Sequence, residues 1–383
     1  MKVLHLVDYF TQPTQTFIKR YVQKTMQFAE VAVASFEFYQ LPSDIEEHVK
    51  LYKINNPQFS RKNLSGAKRY LFEKITGKEF WYSQFNEILK EFKPDIIHCH
   101  FGTMGILMME FSSKYPVKIP YATTIYAYDI TSLPAANEKY RKNLQKLWLK
   151  GTGFFAEGPS LAEKFVAAGC PPEKCIINPL LIPIAEYPLK THYRTINDPI
   201  KFLFIGRFVE KKGFHIFLEA IGKLCGKINE FTIDIIGAGP MDEQYRQLVG
   251  EYNLEPFIKW HGMVNHDNII PMLKDYDFLV HPSLKAKDND SEGGSATIII
   301  EAEAVGLPII TTDHDDIPFV MGYADFLAKE NDPDSLIEVL ERMVNCDTMQ
   351  DYAKQGIKKV YELHDLNMNT SYEANLKLLA DKN

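Results

Sequence analysis

FLFIGRFVEKKGFHIFLEAIGKL, residues 202–224, holds a buried strand, a glycine, a charged loop and a helix, in that order. Its opening run has no polar alternation, so both faces of the strand are covered, as in a parallel sheet flanked by helices. Phe214, Phe217, Leu218, Ile221 and Leu224 then recur at helical spacing. The same grammar extends outward. KVLHLVDYF (2–10), VAVASF (31–36), PDIIHCHF (94–101), KFLFIG (201–206), TIDIIG (232–237), DFLVHP (277–282) and LPIITT (307–312) alternate with helical stretches. This predicts α/β architecture with doubly wound parallel sheets. At 383 residues, 45% hydrophobic and 24% charged, the chain exceeds the size at which one core keeps growing, so two domains are expected. PIAEYPLKTHYRTINDP, residues 183–199, has prolines and few apolar side chains before a fresh strand, which places the division at residue 190.

Ligands of such sheets sit beyond the carboxyl ends of the strands. Gly206, Gly237 and the 283–295 loop fall there. Arg207 follows the strand-ending Gly206 and Lys212 closes the charged loop, two cations fit to clamp a diphosphate, each charge-assisted bond contributing roughly 1.5–3 kcal/mol. SEGGSATIIIEAEAVGLP, residues 291–308, supplies two carboxylates: Glu292 in a Gly-rich loop and Glu301 opening a helical run. Between them Gly293 and Gly294 permit close backbone approach. A helix starting near Thr297 points free amides at an anion, with Ser295 and Ala296 leading into it. One acid can bind sugar hydroxyls and the other a ribose, so the segment suits a sugar nucleotide. As charges alone, Lys211, Lys212 and both glutamates also read as solvated surface groups. IIGAGP, residues 235–240, adds Gly237 and Gly239 as a further loop beside the donor, although it lacks the third glycine of a dinucleotide fingerprint.

GRFVEKKGFHIFLEA, IIGAGP and EGGSATIIIEAEAVGLPIITTDHDDIP (292–318) together resemble the family-four retaining glycosyltransferases of GT-B fold, especially those that build exopolysaccharides such as colanic acid. DIIHCHFGTMG (95–105) resembles a strand and Gly loop of the N-terminal half in that group. AEGPSLAEKFVAAGCPPEKCIINP (156–179) resembles its strand, helix and turn before the interdomain linker. The resemblance implies two Rossmann-like domains facing a cleft: an acceptor domain over 1–190, a donor domain over 191–360, and a C-terminal helix over 361–383 that returns to the first. It implies that Arg207 and Lys212 bind the donor diphosphate without a metal or other cofactor, that Glu301 holds the ribose and that Glu292 lies against the donor sugar. The usual spacing of the paired glutamates has seven intervening residues, whereas positions 293–300 make eight.

TTIYAYDIT, residues 123–131, matches a segment that in many relatives reads Thr-Phe-His-Gly-Tyr-Asp. Here Tyr126 and Ala127 stand at the His-Gly pair. Tyrosine lacks the near-neutral pKa of histidine, but in this family the leaving phosphate is thought to take the acceptor proton. Tyr126 is therefore grouped with Glu292, Arg207 and Lys212 as the catalytic set. The acceptor is expected near residues 11–16, 102–105 and 124–129, on Thr14, Thr16, Gly102, Thr103, Tyr126 and Asp129. PTQTFIKRYV (13–22) resembles the family's helix start there, with Thr14 and Thr16 also suited to capping.

Residues 1–190 carry about 24 basic and 18 acidic side chains and residues 191–383 about 19 and 32. Segments 61–85 and 139–150 mix lysine and arginine with aromatic and aliphatic residues, as ordinary amphipathic helices do and as suits an anionic membrane face or a lipid-linked saccharide acceptor. The acidic total and the lack of a binding module argue against nucleic acid. The first strand is too short and wrongly flanked for a signal peptide, and no apolar run of about eighteen residues occurs, so a cytoplasmic, at most peripheral, enzyme is expected. Five cysteines without a CxxC pair read as reduced thiols. His98 and His100 share a strand face and could bind metal, but no third ligand is evident, and the reading preferred is buried, hydrogen-bonded histidines. The DND at 288–290 reads as a solvated loop. The expected activity is transfer of a hexose from a UDP- or GDP-sugar. A sugar-nucleotide-binding protein without turnover and a sugar-nucleotide epimerase are the alternatives.

Overall fold

The computed structural model describes residues 1–12, 15–55, 80–115, 117–228, 230–294 and 296–382, with Phe80 by its backbone only. The chain divides into two compact units. The first comprises Met1–Ala156, Lys164–Asn178 and the chain from Thr370 onward; the second comprises Glu157–Glu163 and Pro179–Asn369. Thr14, Ser295 and most of the basic segment 61–85 lie outside the described residues.

The first unit is built on β1 (Lys2–Phe10), β2 (Glu30–Phe38), β3 (Lys50–Lys53), β4 (Ile96–His100), β5 (Tyr121–Thr124), β6 (Gly153–Ala156) and β7 (Cys175–Ile177). They lie side by side in the order 3-2-1-4-5-6-7, every pair parallel. Val7, Phe10, Ile18, Val22, Val31 and Val33 form a core between β1, β2 and the helix Thr16–Met26. The C-terminal helix Ser371–Ala380 belongs to this unit. It packs so closely that a Cβ on Gly153 would stand 2.7 Å from Leu379 Cδ2, and Tyr372 Oη lies 2.7 Å from His98 Nδ1.

The second unit holds β8 (Ile200–Ile205), β9 (Phe231–Ile236), β10 (Ile258–Gly262), β11 (Phe278–His281), β12 (Ile309–Thr312) and β13 (Leu327–Ala328). Their order is 10-9-8-11-12-13, again all parallel. The phenylalanines that made 202–224 readable form its centre: the Phe204 and Phe214 rings stack at 4.1 Å, and Phe202 meets Phe217 edge-on at 5.6 Å. Burying each such ring contributes about 2–3 kcal/mol.

Residue 190, where the sequence placed the division, lies inside the second unit. Lys190 is the physical reason. Its backbone N–H donates to the Val305 carbonyl at 2.8 Å and its buried ammonium to the carbonyls of Tyr276 at 2.6 Å and Lys274 at 3.1 Å. Arg194 likewise donates to the Val344 carbonyl at 2.7 Å. A segment poor in apolar residues is thus tied down through its charged ends. The helix Met349–His364 also falls in the second unit, and only from Thr370 does the chain count with the first. Among the described residues, no helix is long and apolar enough to cross a membrane.

Candidate functional site

In the second sheet the chain runs outward from β8 to β9 and β10 on one side, then returns to β11 on the other. The β8–β11 junction is therefore its topological switch point, where loops leaving neighbouring strands diverge and open a crevice. Two loops leave it: 206–213 after β8 and 282–296 after β11.

Glycines weld these loops together. Gly213 has φ +64°, and a Cβ there would lie 1.8 Å from the Pro282 carbonyl oxygen. Gly237, at φ +143°, passes so near the β8 loop that a Cβ would stand 1.9 Å from the Gly206 oxygen, and one on Gly239 would fall 2.6 Å from that of Phe208. Gly237 and Gly239, expected beside the donor, thus serve backbone packing against residues 206–208, secured by Phe208 N–H to the Ala238 carbonyl at 2.9 Å. Gly213→Ala combines a strained φ with a backbone collision. It should lower the stability of the second unit by at least about 2 kcal/mol in calorimetric melting; an unchanged melting temperature would contradict this packing.

Lys212 ends the 3-10 turn Glu210–Lys212, and its ammonium lies 2.8 Å from Glu292 Oε1. Both side chains are largely buried. Burial raises the Glu292 carboxyl, but the charge of Lys212, joined by His281 and Lys211, outweighs this and holds it well below the usual carboxylate range. Burial lowers the Lys212 ammonium, opposed by Glu292. Ser283 Oγ donates to the same Glu292 oxygen at 3.4 Å. His281 Nε2 stands 3.6 Å from it, beyond hydrogen-bond length, and burial lowers the imidazole pKa so the ring stays neutral. Lys211 is spent within the loops, on Asp290 at 3.1 Å and the Ser291 carbonyl at 3.1 Å. Arg207 is exposed, and among the described residues its guanidinium has no salt-bridge partner. The sequence put Lys212 on phosphate and Glu292 on sugar; the structure joins them to each other.

Gly293 has φ +73°, and its N–H donates to Asp315 Oδ2 at 2.7 Å. The bare face of Gly294, read from the sequence as room for a ligand, is taken by protein: a Cβ there would lie 1.8 Å from Glu157 Oε2. The helix Thr297–Val305 then starts at Ala296 without a side-chain cap; the Ile299 N–H donates to the Ala296 carbonyl at 2.9 Å, and among the described residues no acceptor meets the Thr297 and Ile298 amides. Glu301 does not open this helix but sits at its middle, 1% exposed. His266 Nε2 lies 2.9 Å from its Oε1, and Tyr187 Oη donates to the same oxygen at 3.3 Å. His266 and Tyr187 were not foreseen, because each is far from Glu301 along the chain. Glu157 and Asp316 also escaped notice, although Asp316 lies in the quoted HDDIP run.

In the first unit, the expected glycine loop after β4 is a helix, Phe101–Lys114, that begins at once. Gly102 and Thr103 are in its first turn, and Gly102 is closed off: a Cβ there would lie 2.1 Å from Tyr140 Oη. Asp129 is 1% exposed and accepts from the Tyr126 N–H at 3.1 Å and from Tyr140 Oη at 3.2 Å. Burial pushes its carboxyl up to about 6, against these bonds and one from the Gly102 amide. Gly102 and Asp129 therefore brace the fold instead of presenting free groups to an acceptor. Tyr126 is 7% exposed, its ring 4.7 Å from both Phe17 and Phe101, and its hydroxyl lies 3.4 Å from His100 Nδ1. Thr16 is half-buried at the first position of its helix, preceded by Gln15 without a side-chain cap.

The third histidine that the sequence did not reveal is His5, opposite His98 across the β1–β4 pair. His5 Nδ1 meets His100 Nε2 at 3.0 Å and His5 Nε2 meets Thr25 Oγ1 at 3.0 Å. His98 Nε2 meets Thr124 Oγ1 at 2.7 Å. Burial lowers all three imidazoles, His5 to about 3, so they are neutral. With Tyr126 and Tyr372 on the remaining nitrogens, and Thr25 Oγ1 3.4 Å from Tyr372 Oη, the six ring nitrogens belong to one hydrogen-bonded chain. The helix Glu138–Lys150 buries Tyr140, Leu144, Leu147 and Trp148 and turns its lysines outward, with Leu149 71% exposed among them.

Residues 2–156 match a family model described as glycosyl transferase 4-like, and residues 190–360 one described as glycosyl transferases group 1. The chain is 27% identical to WcaL of Salmonella typhimurium, named for colanic acid biosynthesis, over 72% of this chain and 68% of that one. It is 28% identical to the amylovoran biosynthesis glycosyltransferase AmsK of Erwinia amylovora, over 66% and 62%. Anabaena HepE, solved with UDP and glucose, shares the fold over the full length of both chains, with a TM-score of 0.76 at 15% identity. With a glycosyl transferase 4-like half and a group 1 half on two parallel α/β sheets, the chain belongs to the GT-B glycosyltransferases.

Proposed function

We propose that the protein is a retaining, metal-independent hexosyltransferase of exopolysaccharide, capsule or O-antigen assembly that uses a nucleotide-sugar donor. The observation that carries this reading is the meeting of Lys212 and Glu292 at 2.8 Å at the β8–β11 switch point, with Arg207 exposed beside them. Glu301 is held in one orientation by His266 and Tyr187. Arg207, Lys212 and the uncapped start of helix Thr297–Val305 supply cationic and amide partners for a diphosphate, which is the ground for metal independence. Glu301 takes the ribose. Glu292, kept ionised by Lys212, accepts from sugar hydroxyls. The anomeric C–O bond to phosphate breaks and the acceptor oxygen bonds on the same face, its proton passing to the departing phosphate. Positioning and diphosphate stabilisation supply the rate.

The relatives named for colanic acid and amylovoran synthesis support a polysaccharide product. The lysine-rich outer face of helix Glu138–Lys150, with exposed Leu149, supports a lipid-linked acceptor met at an anionic membrane on the cytoplasmic side. A binding protein without turnover is the second reading, favoured by the burial of Tyr126 against His100. Slow donor hydrolysis followed by proton NMR in EDTA separates them. First release of the donor's own anomer supports retention; the opposite anomer contradicts it, and binding with neither hydrolysis nor transfer selects the second reading.

A further inference from the structure

Glu157 is a buried carboxyl that the mechanism above does not use. It is 9% exposed, and among the described residues it has neither a hydrogen-bond nor an ion-pair partner. It lies against the Gly-rich loop, with Oε2 covering the face of Gly294. The acids beside it are committed. Glu292 is paired with Lys212, and Asp316 accepts from the Ser160 and Leu161 amides, at 2.7 and 3.2 Å, at the start of helix Pro159–Ala167. An unpartnered buried carboxyl is costly unless something polar meets it. Here it opens on the loop that carries Glu292.

We propose that Glu157 is a further donor-recognition residue, whose carboxyl, presented across Gly294, hydrogen-bonds a hydroxyl of the sugar carried by the nucleotide that Lys212, Glu292 and Glu301 hold. This rests on the donor-site reading above. The carboxyl faces Glu292 from the Gly-rich loop, with Lys212 behind it, and Asp316 from the loop after β12, where His314 and Asp315 pair with each other at 3.2 Å. Burial, then the charges of Asp316 and Glu292, raise Glu157 to about 8. At neutral pH it is a carboxylic acid, with one O–H to donate and an oxygen to accept, and adds no negative charge beside a diphosphate. The neutral form persists below about pH 8, and above it ionisation removes the donor and adds a repelling charge.

The test is calorimetric titration of the full chain with UDP-glucose, UDP-galactose, GDP-mannose and ADP-glucose, each beside its free nucleoside diphosphate, for wild type, Glu157→Ala and Glu157→Gln. For whichever nucleotide sugar binds, Glu157→Ala should raise Kd about tenfold, the worth of one buried hydrogen bond. The free diphosphate should change less than about twofold. Wild-type affinity for the nucleotide sugar should fall between pH 7 and 9 and that of Glu157→Gln should stay level. Unchanged nucleotide-sugar affinity in a folded Glu157→Ala overturns the inference and leaves the donor site standing. If that variant does not fold, a Glu157→Gln profile that tracks wild type overturns it equally. Failure of every nucleotide sugar and diphosphate to bind wild type overturns the donor-site reading and this inference together.

Discussion

Glu301→Ala should bind its nucleotide sugar, and the free nucleoside diphosphate, about 100-fold more weakly than wild type, while keeping its fold. The magnitude is that of two hydrogen bonds to a charged carboxylate, roughly 1.5 kcal/mol each. The carboxylate is 1% exposed and fixed by His266 and Tyr187 on one oxygen, so little entropy remains to be lost when a ribose arrives. His266→Ala, which loosens the carboxylate without removing it, should cost less, about fivefold to tenfold. Calorimetry reads both. An unchanged Kd in Glu301→Ala would remove the ribose role.

Lys212→Met should do two things at once. It strips a buried carboxylate of its counter-charge, which costs about 3–5 kcal/mol of stability, and it takes a cation from the proposed diphosphate site, lowering turnover by about 10²–10³. The double variant Lys212→Met with Glu292→Gln separates the two, since no buried anion is left unpaired. Its melting temperature should recover most of the loss while its turnover does not. If the double variant recovered turnover as well, the pair would be purely structural. If Lys212→Met melted like wild type, the 2.8 Å contact would not be the partner that holds Glu292 ionised.

Much of the architecture was legible because both sheets are parallel and covered on two faces. Strands such as β8 and β11 are then mostly apolar, buried runs, and the structure places them, like β1 and β9, within a residue or so of the sequence reading. The strands that were not singled out, β3, β5, β6, β7, β10 and β13, are two to five residues long, too short for a period to register. The stretch after β4 misread as a loop shows another limit. Gly102 and Gly105 suggest a turn, yet both lie in a helix because the Tyr140 hydroxyl and Thr123 press on them where a side chain would go. The unit boundary shifted for a similar reason, as Lys190 and Arg194 anchor a polar segment by hydrogen bonds to carbonyls that no local pattern announces.

At the site, the residues flanking strand ends were readable, since Gly206, Arg207 and Lys212 follow β8 directly. Their partners were not. Glu292 meets Lys212 because β11 neighbours β8 in space, and the strand order that brings them together is absent from either segment alone. The same holds for His5 beside His98 and His100, and for Glu157 against Gly294. Isolated glycines were the most ambiguous signal. Gly293 adopts the positive φ that favours glycine, Gly213 and Gly237 combine such a φ with a close approach of backbone, and Gly294 exists so that protein can approach protein.

The most direct test of the central claim, that the β8–β11 switch point is a nucleotide-sugar donor site, is calorimetric titration of UDP-, GDP- and ADP-sugars into wild type and Glu301→Ala with EDTA present. Binding to wild type should be selective, survive the chelator and be lost in the variant. Binding that persists unchanged in Glu301→Ala, or no binding of any nucleotide sugar to wild type, would contradict it.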